Sequence, residues 1–489
     1  MSEKDKNIDR EIDERKNEDY IKDTHVEESD EKEIVDQIRG FDEKEVVEQI
    51  ENLLDQKNYA ELKEILTAMN PVDISTVFEE MNDNKIPLLF RLLPKEEAAE
   101  VFVEMEADAQ ELLIRGFSDN ELKEVLDELY LDDAVDIVEE MPANVVKRIL
   151  LNTDSDTRRM INEILKYPDD SAGSIMTIEY VSLRLNMTVS EAIKRIRRTG
   201  IDKETIYTCY VTDSSRFLHG AVSIKTLLLA DEDDLIKDIM DTNYVSVHTH
   251  EDQEDVANKF NKYDLLAIPV VDDENRLVGI VTFDDAIDVM QDEATEDIKK
   301  MAAIIPSDKS YFRTTTFETF KARIPWLLLL MVSATFTGSI ITSFESALAT
   351  CTILTAYIPM LMDTGGNSGG QASVTVIRAL SLDEIEFGDI FKVIWKEARV
   401  ALMCGATLAV CNFVKLLVLD RLQVTVALVV CITLVITVFI AKIIGCTLPI
   451  LAKKIGFDPA VMASPFITTI VDAVSLLVYF RIATMILHI

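Results

Sequence analysis

The residues with the clearest chemical potential lie in the apolar C-terminal third of the chain. Asp472 is the sole acidic residue of the apolar segment 460–480 and lies near its middle. A carboxylate at membrane depth costs about 2.5–3.5 kcal/mol, so such residues usually face protein or water and serve a function. Ser464, Thr468 and Ser475 recur with Asp472 at helical spacing, which predicts a polar face on this helix. Oxygen ligands of this kind suit Mg²⁺ or Ca²⁺.

A second polar segment lies among the apolar runs. Residues 359–371 read PMLMDTGGNSGGQ, with four glycines beside Asp363, Asn367 and Gln371. Polar groups at membrane depth must line water or pack against protein, so the segment predicts the wall of a pore. Close packing of helices through small residues is the alternative. We predict that the pore is lined by Asn367, Gly370, Ser464 and Thr468.

Charge divides the chain into two parts. Residues 1–321 carry 77 of the 87 acidic and 38 of the 49 basic residues, a net −39, and residues 322–489 carry 10 acidic and 11 basic, a net +1, which together give −38. An N-terminal part this acidic disfavours nucleic acid as a partner and favours cations.

The acidic part itself has several regions. Residues 1–45 are charged with few large apolar side chains, which predicts a disordered tail. Residues 46–168 contain a twelve-residue repeat that ends each unit on a large apolar residue, which predicts a superhelix of short helices. Asp132 and Asp136 stand four apart, so both carboxylates could meet a divalent cation, although solvated helix faces carry the same pattern.

Residues 169–298 contain an internal duplication of short strands and helices. The run AIPVVDDENRLVGIVTFDD in the second copy matches TIYTCYVTD…GAVSIKTLL in the first. The segment resembles a pair of CBS domains, which we place at 169–234 and 235–298. That resemblance implies binding of adenine nucleotides such as ATP, or of ions. Thr282 and Asp284 match the family's ribose-contacting T/S-x-x-D motif only in part.

The remaining segments predict a connector and a membrane domain. Residues 293–321 read as an amphipathic connector helix that is broken near Pro306, with a plug helix assigned over 299–321. Five apolar segments follow within a membrane domain at 322–489, at about 325–344, 347–363, 394–418, 424–450 and 460–485, each near the length that spans a bilayer. Basic residues cluster before the first span and after the second and fourth, which predicts cytosolic N-terminal domains, an external C-terminus and a plasma-membrane location.

The order of these regions resembles that of the MgtE family of magnesium channels. The motifs that carry the resemblance are SAGSIM at 171–176, EATEDI at 293–298, GGNSGGQ at 365–371, FDPA at 457–460 and TIVD at 469–472. It implies a homodimer with the pore between two membrane domains, with Asp472 holding hydrated Mg²⁺ and Asp458 at the cytosolic mouth. It also implies regulatory Mg²⁺ bound by acidic residues, which match Asp132, Asp136, Asp252, Glu254, Asp264, Asp285, Asp288, Glu293, Glu296 and Asp297. Family members often carry Asn at the positions of Gly370 and Ser464.

We therefore expect a multidomain membrane protein that acts as a Mg²⁺ channel for uptake, gated by cytosolic Mg²⁺. Two alternatives stay open: a proton- or sodium-coupled transporter that uses Asp472, and a membrane-bound nucleotide sensor. The sequence shows no nucleophile–base set, so we expect no enzyme.

Overall fold

A computed structural model describes residues 43–201, 203–307, 311, 314–462 and 464–488. Most of the predicted N-terminal tail, residues 1–42, lies outside the described residues, as does the side chain of Ser464. The described chain divides into two compact units, residues 1–286 and 287–489.

From residue 43 onward, the described part of the first unit starts with ten helices. They are α1 (Glu43–Asp55), α2 (Tyr59–Ala68), α3 (Pro71–Glu80), α4 (Ile86–Phe90), α5 (Lys95–Val103), α6 (Ala107–Gly116), α7 (Asp119–Leu126), α8 (Leu131–Glu140), α9 (Ala143–Asn152) and α10 (Ser155–Ile164). From α5 to α10 each helix begins twelve residues after the one before it. The predicted repeat is therefore one short helix and one turn per unit, and it extends two units beyond Met141, where the sequence pattern was followed.

Local signals explain why the repeat breaks into short helices. The side chain of Asn70 accepts a hydrogen bond from the Val72 N–H, and Ser118 forms a reciprocal capping box with Glu121. The apolar residue that ends a unit turns inward: Met81, Met105, Phe117 and Met141 are all buried in one core. A helix of two to three turns is marginal alone, so burial of this stripe between neighbours holds the stack together.

The rest of the first unit contains two copies of one α+β arrangement. The first has β1 (Tyr180–Arg184), α11 (Val189–Thr199), β2 (Thr205–Thr212), β3 (Leu218–Ser223) and α12 (Ile224–Leu229); α13 (Ile236–Ile239) then leads to the second, with β4 (Val247–His248), α14 (Gln253–Tyr263), β5 (Ala267–Val271), β6 (Leu277–Thr282) and α15 (Phe283–Met301). In each sheet the central strand pairs parallel with the first and antiparallel with the third. The predicted duplication is thus seen in the topology.

The two copies have equivalent turns, and they share one apolar core. The carboxylate of Asp213 accepts from the Ser215 and Phe217 N–H groups, and Asp272 does the same for Glu274 and Arg276. Between the copies, one apolar cluster combines Tyr210 and Leu218 with Ala267, Val271, Leu277 and Ile280.

The connector is interrupted around Pro306 as predicted, but it does not form the helix assigned to 299–321. Helix α15 continues unbroken from the second copy through residue 301, and the next helix, α16 (Thr316–Ser343), begins only at 316. Its N-terminus is set by Thr315, which forms a capping box with Glu318. No helix spans 299–321 within the described residues, because a capping threonine starts a new helix there and Pro306 cannot supply an N–H to a continuing one.

The second apolar segment also differs from its prediction. Residues 347–363 form no single span: α17 (Glu345–Thr350) and a 3₁₀ turn (Thr352–Tyr357) precede α18 (Ile358–Ser381), which carries the glycine-rich segment in its middle. Apolar content alone placed the span too early, because the glycines and polar residues that follow are helical here. Helices α19 (Ile390–Val418), α20 (Val424–Lys454) and α21 (Ser464–Leu487) complete the second unit.

Four helical stretches of the described residues are long and apolar enough to cross a membrane: 316–343, 387–418, 424–454 and 459–487. Helix α18 has 24 residues, about 36 Å at 1.5 Å per residue, but its polar segment keeps it out of that group. The five-span count therefore stays a prediction that depends on α18.

Candidate functional site

Helix α18 packs against α20 and α21 through its glycines. A Cβ built on Gly365 would lie 2.7 Å from Thr437 Cγ2 of α20 and 2.9 Å from Val471 Cγ1 of α21. A Cβ on Gly369 would lie 2.9 Å from Ile467 Cγ2. No side chain fits at these positions, so the glycines are required for close approach of the three helices. Close packing of helices, the alternative interpretation of this segment, therefore accounts for its glycines.

The polar residues of the same segment lie on a different face. Asp363, Asn367 and Gln371 follow one another at four-residue intervals and are exposed in the single chain. They form a polar stripe along this helix. Such a stripe is unfavourable against lipid, so it must meet water or protein. The packing interpretation therefore applies to one face of this helix, and the pore-wall interpretation stays a prediction for the other.

Asp472 lies on the neighbouring helix α21 and is partly buried. Its carboxylate interacts electrostatically with that of Asp363 across the α18–α21 contact. Asp363 was not among the predicted site residues. Its four-residue spacing from Asn367 and Gln371 was the signal that could have identified it.

The other predicted pore residues occupy mixed positions. Gly370 is buried and Asn367 exposed. Thr468 is half-buried; its hydroxyl donates to the Pro465 carbonyl at 2.9 Å, and its methyl group faces Gly366. Ser475, predicted to share the polar face of Asp472, is buried with its Oγ toward Gly365.

A second charged pair within the helices was missed by sequence reasoning. Lys442 Nζ of α20 lies 3.7 Å from Glu397 Oε2 of α19, and the two side chains are only 6% and 12% exposed. Paired opposite charges are the form in which ionisable groups are tolerated in apolar surroundings. A lone Lys inside an apolar run was the available signal.

In the first unit, carboxylates from α8 and from the duplicated region crowd together. They are Asp132, Asp133, Asp136, Glu179, Glu204, Asp284 and Asp285. Burial, then the charge of Asp285, raises the pKa of Asp132 to about 9 and that of Asp133 to about 7. Burial and the Asp133 carboxylate raise the pKa of Glu204 to about 8.

This crowding joins two of the predicted regulatory residues on α8 to a third on α15. Asp136 lies at the edge of the group, and burial, then the charge of Asp285, raises its pKa to about 7. One oxygen of Asp132 and one of Glu204 are buried without a hydrogen-bond donor among the described residues. Like charges held this way destabilise the unit unless protons or cations neutralise them.

The Asp285 carboxylate also contacts Thr282. The backbone N–H of Thr282 lies 3.3 Å from Asp285 Oδ2, and the Thr282 hydroxyl also donates to that oxygen. Asp285 stands three residues after Thr282, so it, and not Asp284, completes the T-x-x-D spacing.

Two other predicted metal residues, Asp252 and Asp264, have roles at the ends of helix α14. Asp252 caps α14 by accepting from the Glu254 N–H at 2.9 Å, and exposed Asp264 ends the helix in a left-handed conformation, φ 51°. Asp288 and Glu293 lie along α15.

The remaining predicted residues are Glu296 and Asp297 at the end of α15 and Asp458 in the turn before α21. Lys300 lies between Glu296 and Asp458. Lys300 Nζ lies 2.7 Å from Glu296 Oε1 and 2.7 Å from Asp458 Oδ2. Burial, then the Asp458 charge, raises the pKa of Asp297 to about 6. Across the described residues, no three His, Cys, Asp or Glu side chains converge in a ready-made metal site.

Comparison with known proteins identifies the class. Residues 358–482 match the family model for a divalent cation transporter, residues 69–170 match the MgtE intracellular N domain, and residues 172–233 and 236–292 match CBS domains. These domains together define a membrane transport protein for divalent cations with a CBS pair attached.

Individual relatives narrow the class. The magnesium transporter MgtE of Thermus thermophilus is 40% identical over 411 residues, 82% of this chain and 89% of the relative. That of Bacillus subtilis is 36% identical over 358 residues, 73% of this chain and 78% of the relative. The chain belongs to the MgtE family of magnesium transporters.

Among solved structures, the cytosolic domain of the Mg²⁺ channel MgtE in complex with ATP is similar to half of the chain. It is 36% identical with a TM-score of 0.48, and the match covers 50% of this chain and 99% of that domain.

Proposed function

We propose that the chain is a Mg²⁺ channel in the plasma membrane, with its acidic N-terminal domains in the cytosol and its C-terminus outside. The observation that carries the proposal is the pairing of two polar faces: Asp363, Asn367 and Gln371 on α18 and Asp472 on α21. Carboxylate and amide oxygens on one path suit a hydrated Mg²⁺, which gives up its water reluctantly. A homodimer would place the exposed stripe of α18 against its symmetry mate and away from lipid.

Asp472 is the residue on which this proposal is tested. Reconstituted chain should carry Mg²⁺ into liposomes, and Asp472→Ala should abolish or strongly reduce that flux while the protein still elutes as a folded species. Asp472→Asn keeps the shape without the charge and should also weaken Mg²⁺ binding. Arg481→Gln, exposed on the same helix, is the control. Uptake of Mg²⁺ by Asp472→Ala equal to the parent would contradict the assignment.

The same liposomes separate a channel from a coupled transporter and report selectivity. A channel should show flux independent of an imposed proton or sodium gradient, whereas coupling through Asp472 would make the flux follow it. Co²⁺, Mn²⁺ and Ca²⁺ tested against Mg²⁺ give the order of preference.

Gating by cytosolic Mg²⁺ is the second part of the proposal. Close carboxylates repel when no cation is bound, so divalent ions that bridge them should compact the cytosolic part and favour the closed state by their difference in affinity for the two states. Millimolar Mg²⁺ should then protect the first unit and α15 from protease.

Neutralising four acidic residues together tests the gating. Asp285→Asn, Asp288→Asn, Glu293→Gln and Glu296→Gln in one chain should remove the protection and leave flux active at high internal Mg²⁺. Four exposed acids of the N-terminal helices (Glu61, Glu64, Glu80 and Asp83) changed in the same way form the control. Cleavage that ignores Mg²⁺ in the parent chain would defeat the gating model.

An adenine nucleotide is the further ligand of this proposal, supported by the paired Thr282 hydroxyl and Asp285 carboxylate at a T-x-x-D spacing. ATP titrated into the purified chain should release heat of binding, and Thr282→Val together with Asp285→Ala should remove it. Heat of binding that is the same in the double variant and the parent would assign ATP elsewhere or nowhere.

A further inference from the structure

The side-chain ammonium of Lys300 bridges two segments that adjoin the proposed ion path. Lys300 Nζ lies 2.7 Å from Glu296 Oε1, one turn back on α15, and 2.7 Å from Asp458 Oδ2, in the turn before α21. The Lys300 side chain is 23% exposed and that of Asp458 34%, so the pair is partly withdrawn from water.

Asp458 transmits this contact to the backbone of the turn. Its other oxygen, Oδ1, accepts a hydrogen bond from the Ala460 N–H at 2.7 Å, within the 3₁₀ turn Pro459–Met462. Ala460 in turn packs with Ile377 of α18 and Met301 at the end of α15. The ion pair and the apolar contact therefore join residues 296–301 to the turn that leads into α21.

Lys300 offsets the repulsion among the carboxylates that surround it. Glu293, Glu296 and Asp458 all act on the half-buried carboxyl of Asp297 in the direction of repulsion, while Lys300 acts against them. Without an ammonium here, the end of α15 and the turn would present like charges to each other. Glu296, predicted to bind regulatory metal, and Asp458, predicted at the cytosolic mouth, are both held by this side chain.

We infer that Lys300 is a positioning residue for gating: its ammonium fastens the end of α15 to the turn before α21, so that displacement of α15 is passed to the helix that bears Asp472. The inference rests on the proposed function and adds the route by which the cytosolic part reaches the ion path. The flexible Lys300 side chain can keep its contact with Asp458 when α15 moves. A metal ion at the same place would have to bind again each time the channel closes.

The experiment measures Mg²⁺ flux from the reconstituted chain against the Mg²⁺ concentration on the cytosolic side. Lys300→Met should retain flux at low Mg²⁺ and need about tenfold more Mg²⁺ for half-inhibition, the change expected from loss of one charge-assisted contact. Protection of the first unit from protease by Mg²⁺ should stay as in the parent, because the sensor is intact and only its connection is lost. Lys392→Met, whose exposed ammonium pairs only with nearby Asp389 among the described residues, removes the same charge and should change neither readout.

Charge exchange separates an ionic contact from a purely structural one. Lys300→Arg should keep normal inhibition, Lys300→Glu should lose it, and Lys300→Glu with Asp458→Lys should recover at least half of the lost Mg²⁺ sensitivity. If Lys300→Met is not obtained folded, this series decides alone, and failure of the exchanged pair to recover overturns the inference. Half-inhibition of Lys300→Met at the parent's Mg²⁺ concentration also overturns it while leaving the channel in place. A parent chain that carries no Mg²⁺ removes the proposed function and the inference with it.

Discussion

Gly445 of α20 lies directly against the backbone of Gly369 in α18. A Cβ built on Gly445 would stand 3.0 Å from the carbonyl carbon of Gly369 and closer still to its oxygen. Main chain cannot yield as a flexible side chain can, so the two glycines set the separation of these helices. This contact lies on the side of α18 opposite to its exposed polar stripe.

Gly445→Ala should therefore destabilise the helix packing by about 1–3 kcal/mol, the usual effect of overpacking. The midpoint of thermal unfolding in detergent, followed by the recovery of monodisperse protein, measures the change. Gly338→Ala is the matched control, because nothing stands within 4 Å of its added Cβ on α16. Equal midpoints for the two variants would show that the helices separate without cost.

The buried pair Lys442–Glu397 should behave as a unit. Glu397→Gln leaves an unpaired ammonium among apolar side chains, which typically costs about 3–5 kcal/mol, whereas Lys442→Met with Glu397→Gln removes both charges and should recover most of the loss. A double-mutant cycle on thermal stability gives the coupling energy. Additive effects of the two substitutions would mean that the 3.7 Å separation carries no interaction.

Stability of the first unit should fall as pH rises when no divalent cation is present. The pKa of Asp132 is raised to about 9 in the folded chain from an ordinary 3.8, so the folded state holds a proton that the unfolded state has released. The free energy of unfolding then declines between those two pH values, and Asp133 and Glu204 act in the same direction.

Thermal unfolding in EDTA should show this decline as a midpoint lower by about 5 °C or more between about pH 6 and pH 9. Mg²⁺ should reduce the decline because it replaces the lost protons, and Asp132→Asn should flatten it. Asp83→Asn, an exposed residue of the same domain, should leave the decline unchanged. A midpoint that rises with pH in EDTA would reverse the sign and refute the account.

Gly370 and Ser464 test selectivity, because the family resemblance implies Asn at both positions. Smaller side chains leave more room and fewer oxygen acceptors for the waters of a hydrated ion, so restoring Asn at both should lower Co²⁺ or Ca²⁺ flux relative to Mg²⁺. Gly370 is buried in the single chain, so the single substitution Gly370→Asn must first be shown to fold. Flux ratios that are unchanged in the folded double variant, at equal expression, would reject the idea.

Local patterns in the sequence determined much of the architecture. The twelve-residue repeat, the duplicated α+β region and the apolar helices were predictable because capping residues, periodic apolar positions and turn signals act over a few neighbouring residues. The position of Asp472 inside an apolar helix followed from the same one-dimensional information, and its role in ion binding stays a prediction. The family assignment rests on motifs of this local kind.

Only the tertiary structure decided which groups meet. Gly365 of α18 lies against Thr437 and Val471 of two other helices, a contact that hydropathy along the chain does not report. Asp132 and Asp285 are far apart in sequence, and so are Lys300 and Asp458. Such contacts arise when separate elements pack together in the folded chain. Their electrostatic consequences, raised carboxyl pKa values in one place and an ammonium between carboxylates in the other, depend on burial and distance, which spacing along the chain does not determine.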